Sequence, residues 1–365
     1  MSCTELSEFD CYGFRLKLTH EQHDQRARSE TNVEKRRRKW KTYFEVNKLP
    51  SLQKLKRYLR KGIPPEMRRW VWLEVSGANQ VRQLGRYEVL VRQAEETPSP
   101  VRNQIELDLP RTFPGQHDWI ASHEGQSSLR RVLLAYSMHN EKVGYCQSMN
   151  YVAALLLVAT GKVEEDSFWL LVALLEGVLY PGMYANNLEG CHVEMKSLGK
   201  LLGKKDPRLA LHMEKLGCDM NLVSTDWFLC LFCTTLPIET AARVWDCLLL
   251  EGPKILYRVA LALFRMAEDR LLAADNPGDF LIAMRNVAQT CYDRDGLMKI
   301  AFNKLGKMPM DRITRYRREK QEVVDEEMRQ REAISRRKAL QRSIANGSAK
   351  AHRRSRGAAQ ANGSV

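Results

Sequence analysis

Two short polar segments contain side chains that a helical core would not need. The first reads IELDLPRT and contains Arg111, which lies between Pro110 and Pro114. A proline fixes its own φ and disfavours the helical conformation of the residue before it. We therefore predict that Leu109 and Phe113 are extended, and that Arg111 lies on a short, stiff connection from which its cation reaches out of the domain.

The second segment reads GYCQSMN and places Gln147 at the front of an apolar run, residues 149–160. Packing of that run is expected to fix the position of the amide. An arginine and a glutamine together suit phosphoryl transfer from GTP. The guanidinium offsets charge that develops around the transferred group, and the amide orients the attacking water.

Both residues also have a purely structural interpretation. Asp108, three residues before Arg111, would hold it as a surface ion pair worth at most about 1 kcal/mol. Gln147 on its own would be a helix-start residue whose amide bonds local backbone groups. Residue types and spacing leave these alternatives open.

The spacing I-x-x-D-x-x-R followed by Y-x-Q resembles the catalytic signature of TBC-domain GTPase-activating proteins, which act on Rab-type small GTPases. Further family marks occur in order over residues 62–251. They are Gly62-Ile-Pro64, Arg68 and Trp72 upstream of the signature, and Phe168-Trp169, YPGMY at 180–184, Trp227-Phe228 and Val244-Trp245-Asp246 downstream.

The resemblance implies that Arg111 is an arginine finger for the nucleotide site of the GTPase, and that Gln147 is a second finger replacing the GTPase's own water-positioning glutamine. Relatives commonly carry glycine after this glutamine, whereas this chain has Ser148, which is small and suited to capping a helix. The residues implied to support the fingers or touch the partner are Ile105, Asp108, Thr112, Tyr145 and Asn150. The residues implied to be structural are Arg68, Trp72, Trp169, Trp227 and Trp245.

The implied function is activation of a GTPase in trans, in the regulation of membrane trafficking. The sequence has no G-x-x-x-x-G-K-[ST] loop, so GTP and Mg²⁺ are expected to be bound by the partner, a Rab-family GTPase in its GTP-bound form. We expect no cofactor and no metal site in this chain. The alternative is a helical adaptor that binds a Rab GTPase without stimulating hydrolysis.

The net charge of +14 originates in the two flanks. Residues 26–48 contain nine Lys/Arg against three Glu, and residues 311–365 contain fifteen Lys/Arg against seven Asp/Glu, so the rest of the chain is neutral. Such flanks are solvated tails, segments attracted to an anionic membrane surface, or nucleic-acid contacts. The last is disfavoured because the basic run at 352–356 has no aromatic residues for base stacking.

Nine cysteines without regular spacing, and no secretory signal in residues 1–9, predict free thiols and a cytoplasmic location. The basic flanks add the expectation of peripheral contact with intracellular membranes. Cys230 and Cys233 form a C-x-x-C, but their apolar surroundings favour buried helix residues over a metal or redox site. The longest apolar run, residues 151–159, is shorter than the roughly 20 residues that span a bilayer.

The helical spacing of apolar residues predicts an all-α fold with one large multi-helix TBC domain and basic flanking segments. We divide the chain into a basic, partly helical segment 1–50, a TBC domain 51–310 and a charged extension 311–365. Ser51 is the predicted N-cap of a helix at 52–61. Further helices are predicted at 33–46, 148–160, 225–236 and 311–343, with an irregular stretch at 101–124 and no order after 343.

Overall fold

The computed structural model describes residues 8–185 and 187–361, and it confirms the all-α prediction. The β contacts in the described residues are two isolated bridges, Phe9 with Arg15 and Phe14 with His117. Helices α1 to α18 span, in chain order, His20–Glu45, Leu52–Lys61, Arg68–Val75, Ala78–Val81, Arg86–Glu96, Pro100–Asp108, Asp118–Ala121, His123–His139, Met149–Ala159, Glu164–Val172, Glu189–Lys205, Pro207–Lys215, Met220–Leu229, Ile238–Glu251, Lys254–Leu272, Pro277–Gln289, Arg294–Lys299 and Met310–Ala361. Short 3₁₀ turns occur at Pro65–Met67 and Leu109–Arg111, and π-helical turns at Ala173–Val178 and Ile300–Lys304.

Helix α9 belongs to the compact unit that extends to Arg317, and nine of its eleven residues are buried. Its sequence, MNYVAALLLVA, is apolar on almost every side, which is the pattern of a helix buried all round. It packs against α8 and α10. Helix α6 also packs against α8. The end of α6, which precedes Arg111, and the start of α9, which follows Gln147, are therefore both anchored on α8.

A buried carboxylate joins the first helices to the rest of the domain. Asp246, fully buried on α14, accepts hydrogen bonds from the Arg68 guanidinium at 2.9 and 3.1 Å and from Trp72 Nε1 at 3.0 Å. The backbone N–H of Ile63 donates to the same carboxylate at 3.1 Å. Arg68 and Trp72 thus share one acceptor.

The other tryptophans singled out in the sequence also belong to the core. Trp169 and Trp245 have no exposed surface, and Trp227 is 3% exposed. Trp245 Nε1 donates to the Leu231 carbonyl at 2.9 Å, and the ring of Trp227 stacks on Phe232 with centroids 5.7 Å apart. These side chains fill space between helices and do not reach the surface.

The helix predicted at 33–46 is longer than expected, because α1 starts at His20. A capping box formed by Thr19 and Gln22 starts it, a signal that the sequence analysis overlooked. Trp40 is buried and donates from Nε1 to the Gly62 carbonyl at 3.1 Å, so α1 is packed on the core. The predicted division at 50 and 310 stays a prediction.

Three further predictions of local structure are wrong. The stretch 101–124 contains α6, because Ser99 caps that helix and Pro100 occupies its first position. Helix α13 ends at Leu229, so the C-x-x-C lies in the following turn, where Leu231 and Phe232 have φ of 48° and 67°. Helix α18 continues to Ala361, since alanine and arginine have high intrinsic helix propensity; residues 362–365 of the predicted tail lie outside the described residues.

The cysteines of the described residues are all free thiols, as predicted. Burial raises the pKa of both Cys230 and Cys233, which is the opposite of what a reactive redox thiol needs. None of the described helices combines the length and the hydrophobicity required to cross a membrane.

Candidate functional site

Arg111 is the last residue of the 3₁₀ turn Leu109–Arg111, which directly follows α6. The turn is anchored by Leu109, which is 2% exposed, whereas the side chain of Arg111 is exposed. Its guanidinium makes no hydrogen bond or ion pair with any residue that the structure describes. Arg111 and Asp108, both described residues, therefore do not form the surface ion pair of the structural alternative.

The extended conformation predicted for Leu109 and Phe113 is wrong. Leu109 is helical, with φ −53° and ψ −54°, and Phe113 is left-handed, with φ +50°. Both side chains are buried, and their packing outweighs the local preference of a residue that precedes proline. We refer to residues 109–117 as the Arg111 loop.

A chain of buried hydrogen bonds connects the end of α6 to the start of α9. The Tyr145 hydroxyl donates to Asp108 Oδ2 at 2.7 Å, and the Thr112 hydroxyl donates to the Asp108 carbonyl at 2.8 Å. Asn150 Nδ2 donates to Thr112 Oγ1 at 2.8 Å. Burial, and then the Asp108 carboxylate, raise the pKa of Tyr145, so its hydroxyl stays protonated as the donor.

These four side chains and Ile105 are each at most 8% exposed. Their burial fits the supporting half of the role predicted for them, because they present little surface to a partner. Tyr151 is a further support, which its position in an apolar run did not indicate. The hydroxyl of Tyr151 donates to the carbonyl of Arg111 at 3.0 Å, and its ring lies 5.1 Å from that of Phe113.

Gln147 is exposed at the end of the loop that precedes α9. Its side chain has no hydrogen bond to any described residue, so the local backbone bond of the structural alternative is not formed. Ser148 occupies the N-cap position of α9 but makes no capping hydrogen bond, and its φ is +88°. The left-handed conformation gives a physical reason why glycine suits this position.

Arg111 and Gln147 converge on one surface pocket of about 430 Å³, although they are 36 residues apart in the sequence. Asp108 and Tyr145 form part of its wall, and Tyr184, whose hydroxyl donates to the Leu229 carbonyl at 2.6 Å, closes another side. The site thus offers a cation and an amide, neither of them paired with a residue that the structure describes, on a buried framework. Among the described residues, no group of three His, Cys, Asp or Glu side chains is placed to hold a metal ion.

Residues 65–272 match the Rab-GTPase-TBC domain family, and the chain belongs to this family, as its resemblance predicted.

Two relatives illustrate the similarity. The human growth hormone-regulated TBC protein 1 is 36% identical over 284 residues, which cover 76% of this chain and 84% of that protein. The mouse TBC1 domain family member 2A is 34% identical over 347 residues, or 90% of this chain. The chain spans 37% of the length of that mouse protein.

Solved structures support the fold. The crystal structure of the Chlamydomonas flagellar RabGAP TBC domain is 45% identical, with a TM-score of 0.75, and the match covers 81% of this chain and 99% of that one. The Ypt/Rab-GAP domain of Gyp1p is 22% identical, with a TM-score of 0.63 over 74% of this chain and 97% of that one, and it supports the fold alone.

Proposed function

We propose that this chain accelerates GTP hydrolysis by a GTP-loaded Rab-type GTPase and that it supplies Arg111 and Gln147 in trans. Family membership supports the partner class. The observation that carries the mechanism is that these two exposed side chains line the same pocket and have no partner among the described residues. A side chain meant to reach into another molecule has to be unsatisfied before that molecule binds.

The two residues have different tasks in this mechanism. The planar guanidinium of Arg111 offers several N–H donors to the oxygens of the transferred phosphoryl group and offsets the charge that develops on them. The amide of Gln147 accepts from and donates to the attacking water, and so aligns it with the γ-phosphate. GTP and Mg²⁺ are held by the GTPase in this mechanism.

The buried framework gives these tasks the required precision. A positioning error of about 1 Å costs on the order of a hundredfold in rate, so both side chains need supports that do not move. The carboxylate of Asp108, satisfied by Tyr145, and the bond between Asn150 and Thr112 fix the backbone on either side of the two functional residues. A non-catalytic adaptor would have no need for an exposed, unpaired arginine here.

Single-turnover hydrolysis of GTP on a panel of purified, GTP-loaded Rab-type GTPases tests the proposal. Arg111→Lys keeps the charge but loses the planar fork. Because an arginine finger is worth about 10³ to 10⁵ in rate, we expect this variant to lose most of the stimulation. Gln147→Ala should lower the rate of stimulated hydrolysis, because the attacking water is no longer aligned with the γ-phosphate. The matched control is Arg92→Lys, since Arg92 is exposed on α5 and is also unpaired among the described residues.

The outcomes separate the two candidate functions. Full stimulation by Arg111→Lys on the responsive GTPase would contradict the finger assignment. A wild-type chain that binds a GTPase but accelerates no member of the panel would favour the adaptor. Circular dichroism of each variant verifies that the fold is intact.

For the basic N-terminal flank we propose contact with an anionic membrane surface, and for the protein a cytoplasmic location peripheral to such membranes. The basic run of α1 borders a groove of about 1140 Å³ between α1, α2 and α17. Asp295 is the single carboxylate among its lining residues, and it pairs with Arg36 at 2.7 Å. The lining cations are Lys35, Arg36, Lys39, Lys54, Lys56, Arg57, Arg60, Lys61, Arg243 and Lys299.

Each basic residue near such a surface contributes about 1 kcal/mol. In co-sedimentation, the chain should bind vesicles of phosphatidylcholine with phosphatidylserine more tightly than vesicles of phosphatidylcholine alone. Charge reversal of Lys35 and Lys39 to Glu should weaken this binding, whereas reversal of Lys215, exposed on α12, should not. Equal binding to both vesicle types would contradict the proposal, and salt-sensitive binding to RNA in its place would favour the nucleic-acid alternative.

A further inference from the structure

Residues 8–16, here called the N-terminal strap, form a short folded-back segment upstream of α1. The carboxylate of Asp10 accepts the backbone N–H groups of Tyr12 and Phe14, both at 2.8 Å. The Asp10 N–H donates to the Phe14 carbonyl at 2.8 Å, which closes the turn. The strap lies outside residues 65–272, the region that matches the family. Its shape is held by these internal hydrogen bonds and by its contacts with the Arg111 loop.

The strap contacts the Arg111 loop through its backbone. Arg15 N–H donates to the Gln116 carbonyl at 2.8 Å. His117 accepts from the Ile120 N–H at Nδ1, so the proton is on Nε2, which donates to the Tyr12 carbonyl at 2.7 Å. Gly13 permits this approach, because its φ is +88° and a Cβ on it would lie 3.2 Å from His117 Nε2.

The strap also contributes a ring to the interior of the loop. Phe14 is 4% exposed and meets Phe113 edge to face, with centroids 5.0 Å apart. Phe113 lies between this ring and that of Tyr151, at 5.1 Å, and the Tyr151 hydroxyl holds the carbonyl of Arg111. One continuous series of contacts thus leads from Phe14 to the backbone of Arg111.

The conformation of Phe113 explains why the loop needs this support. A bulky residue with a φ of +50° is strained, at a cost of order 1 to 3 kcal/mol, and such a residue persists only where its surroundings impose it. A surface pocket of about 350 Å³ is bordered by Phe14, Phe113 and Tyr151. Without the ring of Phe14, Phe113 has room to relax, and Arg111, two residues away, would move with it.

We propose that the N-terminal strap is a positioning element of the site, and that Phe14 acts through Phe113 to hold Arg111 in the orientation that the GTPase requires. The inference rests on the proposed function, because it assigns to the strap a role in presenting the arginine finger. The strap touches neither nucleotide nor partner in this account. Its loss should therefore lower the maximal rate of stimulated hydrolysis and leave the apparent affinity for the GTPase almost unchanged.

Single-turnover hydrolysis on the responsive Rab-type GTPase, measured over a range of concentrations of the full chain, tests this inference. For Phe14→Ala we expect the maximal rate to fall on the order of ten- to a hundredfold, with the half-saturating concentration within about twofold of wild type. Phe14→Leu, which keeps apolar volume, should recover a large part of the rate. The control is Phe44→Ala, because Phe44 also lies upstream of the family match but packs on Trp70, at 5.6 Å, away from the loop.

Arg111→Ala is measured in parallel so that the two levels of the account can fail separately. If Arg111→Ala keeps full stimulation, the proposed function is wrong. If Arg111→Ala loses stimulation but Phe14→Ala keeps its maximal rate, the strap inference alone is overturned. It is also overturned if the maximal rate falls as much in Phe44→Ala as in Phe14→Ala. If Phe14→Ala fails to fold, Gly13→Ala is measured in its place, because its added methyl group would lie 3.2 Å from His117 Nε2. Its maximal rate is then judged by the same criteria.

Discussion

Ser148 provides a direct test of the backbone geometry beside Gln147. Its φ of +88° lies in the left-handed region, which costs a residue with a Cβ about 1 to 2 kcal/mol. Glycine avoids this cost but loses about 0.5 to 1 kcal/mol through its greater backbone freedom in the unfolded chain. The difference predicts that glycine at this position is more stable than alanine by about 0.5 to 1 kcal/mol.

The comparison of Ser148→Gly with Ser148→Ala isolates this term, because both variants lack the serine hydroxyl. In equilibrium denaturation the glycine variant should unfold at the higher denaturant concentration with an unchanged slope, and its Tm should be higher by on the order of 2 °C. An alanine variant as stable as the glycine variant would show that residue 148 is not left-handed in solution. The explanation of why glycine suits position 148 in relatives would then be wrong.

Two further predictions concern buried carboxylates. Burial, and then Glu239, raise the pKa of Asp10 from 3.8 to about 7. Between these pH values the folded chain binds a proton that the unfolded chain does not, so the stability of the wild type falls as the pH rises from about 4 to about 7. Asp10→Asn should therefore raise the Tm at pH 8 but not at pH 4, and an equal effect at both would contradict the burial of that charge. Asp246→Ala leaves the guanidinium of Arg68 buried without its partner, and urea denaturation should show a loss of about 3 to 5 kcal/mol; a loss below about 1 kcal/mol would contradict the network.

The regular helices and the site's location were accessible from the sequence. The apolar residues of α2 repeat at helical spacing between Ser51 and Gly62, and the observed bounds, Leu52–Lys61, agree with the prediction. Ser51 itself makes no side-chain capping bond. Arg111 and Gln147 were found through their residue types and family spacing, and the structure places both in one pocket.

What the sequence could not provide are features produced by distant contacts. Phe113, with its left-handed φ, packs against a ring from residue 14, almost a hundred positions away, and a local rule for residues before proline gave the wrong conformation. The N-terminal segment looked irregular because its polar composition hides the few side chains, such as Trp40, that anchor it. Tyr151 has an ordinary position in an apolar run, and only its distance to the carbonyl of Arg111 reveals its role.

The measurement that tests the central claim most directly is the structure of this chain bound to a responsive Rab-type GTPase that carries GDP, Mg²⁺ and a fluoride mimic of the γ-phosphate. The account predicts that the Arg111 guanidinium lies within about 3 Å of the mimic and that the Gln147 amide contacts the attacking water. A complex in which either side chain points away from the nucleotide would contradict it.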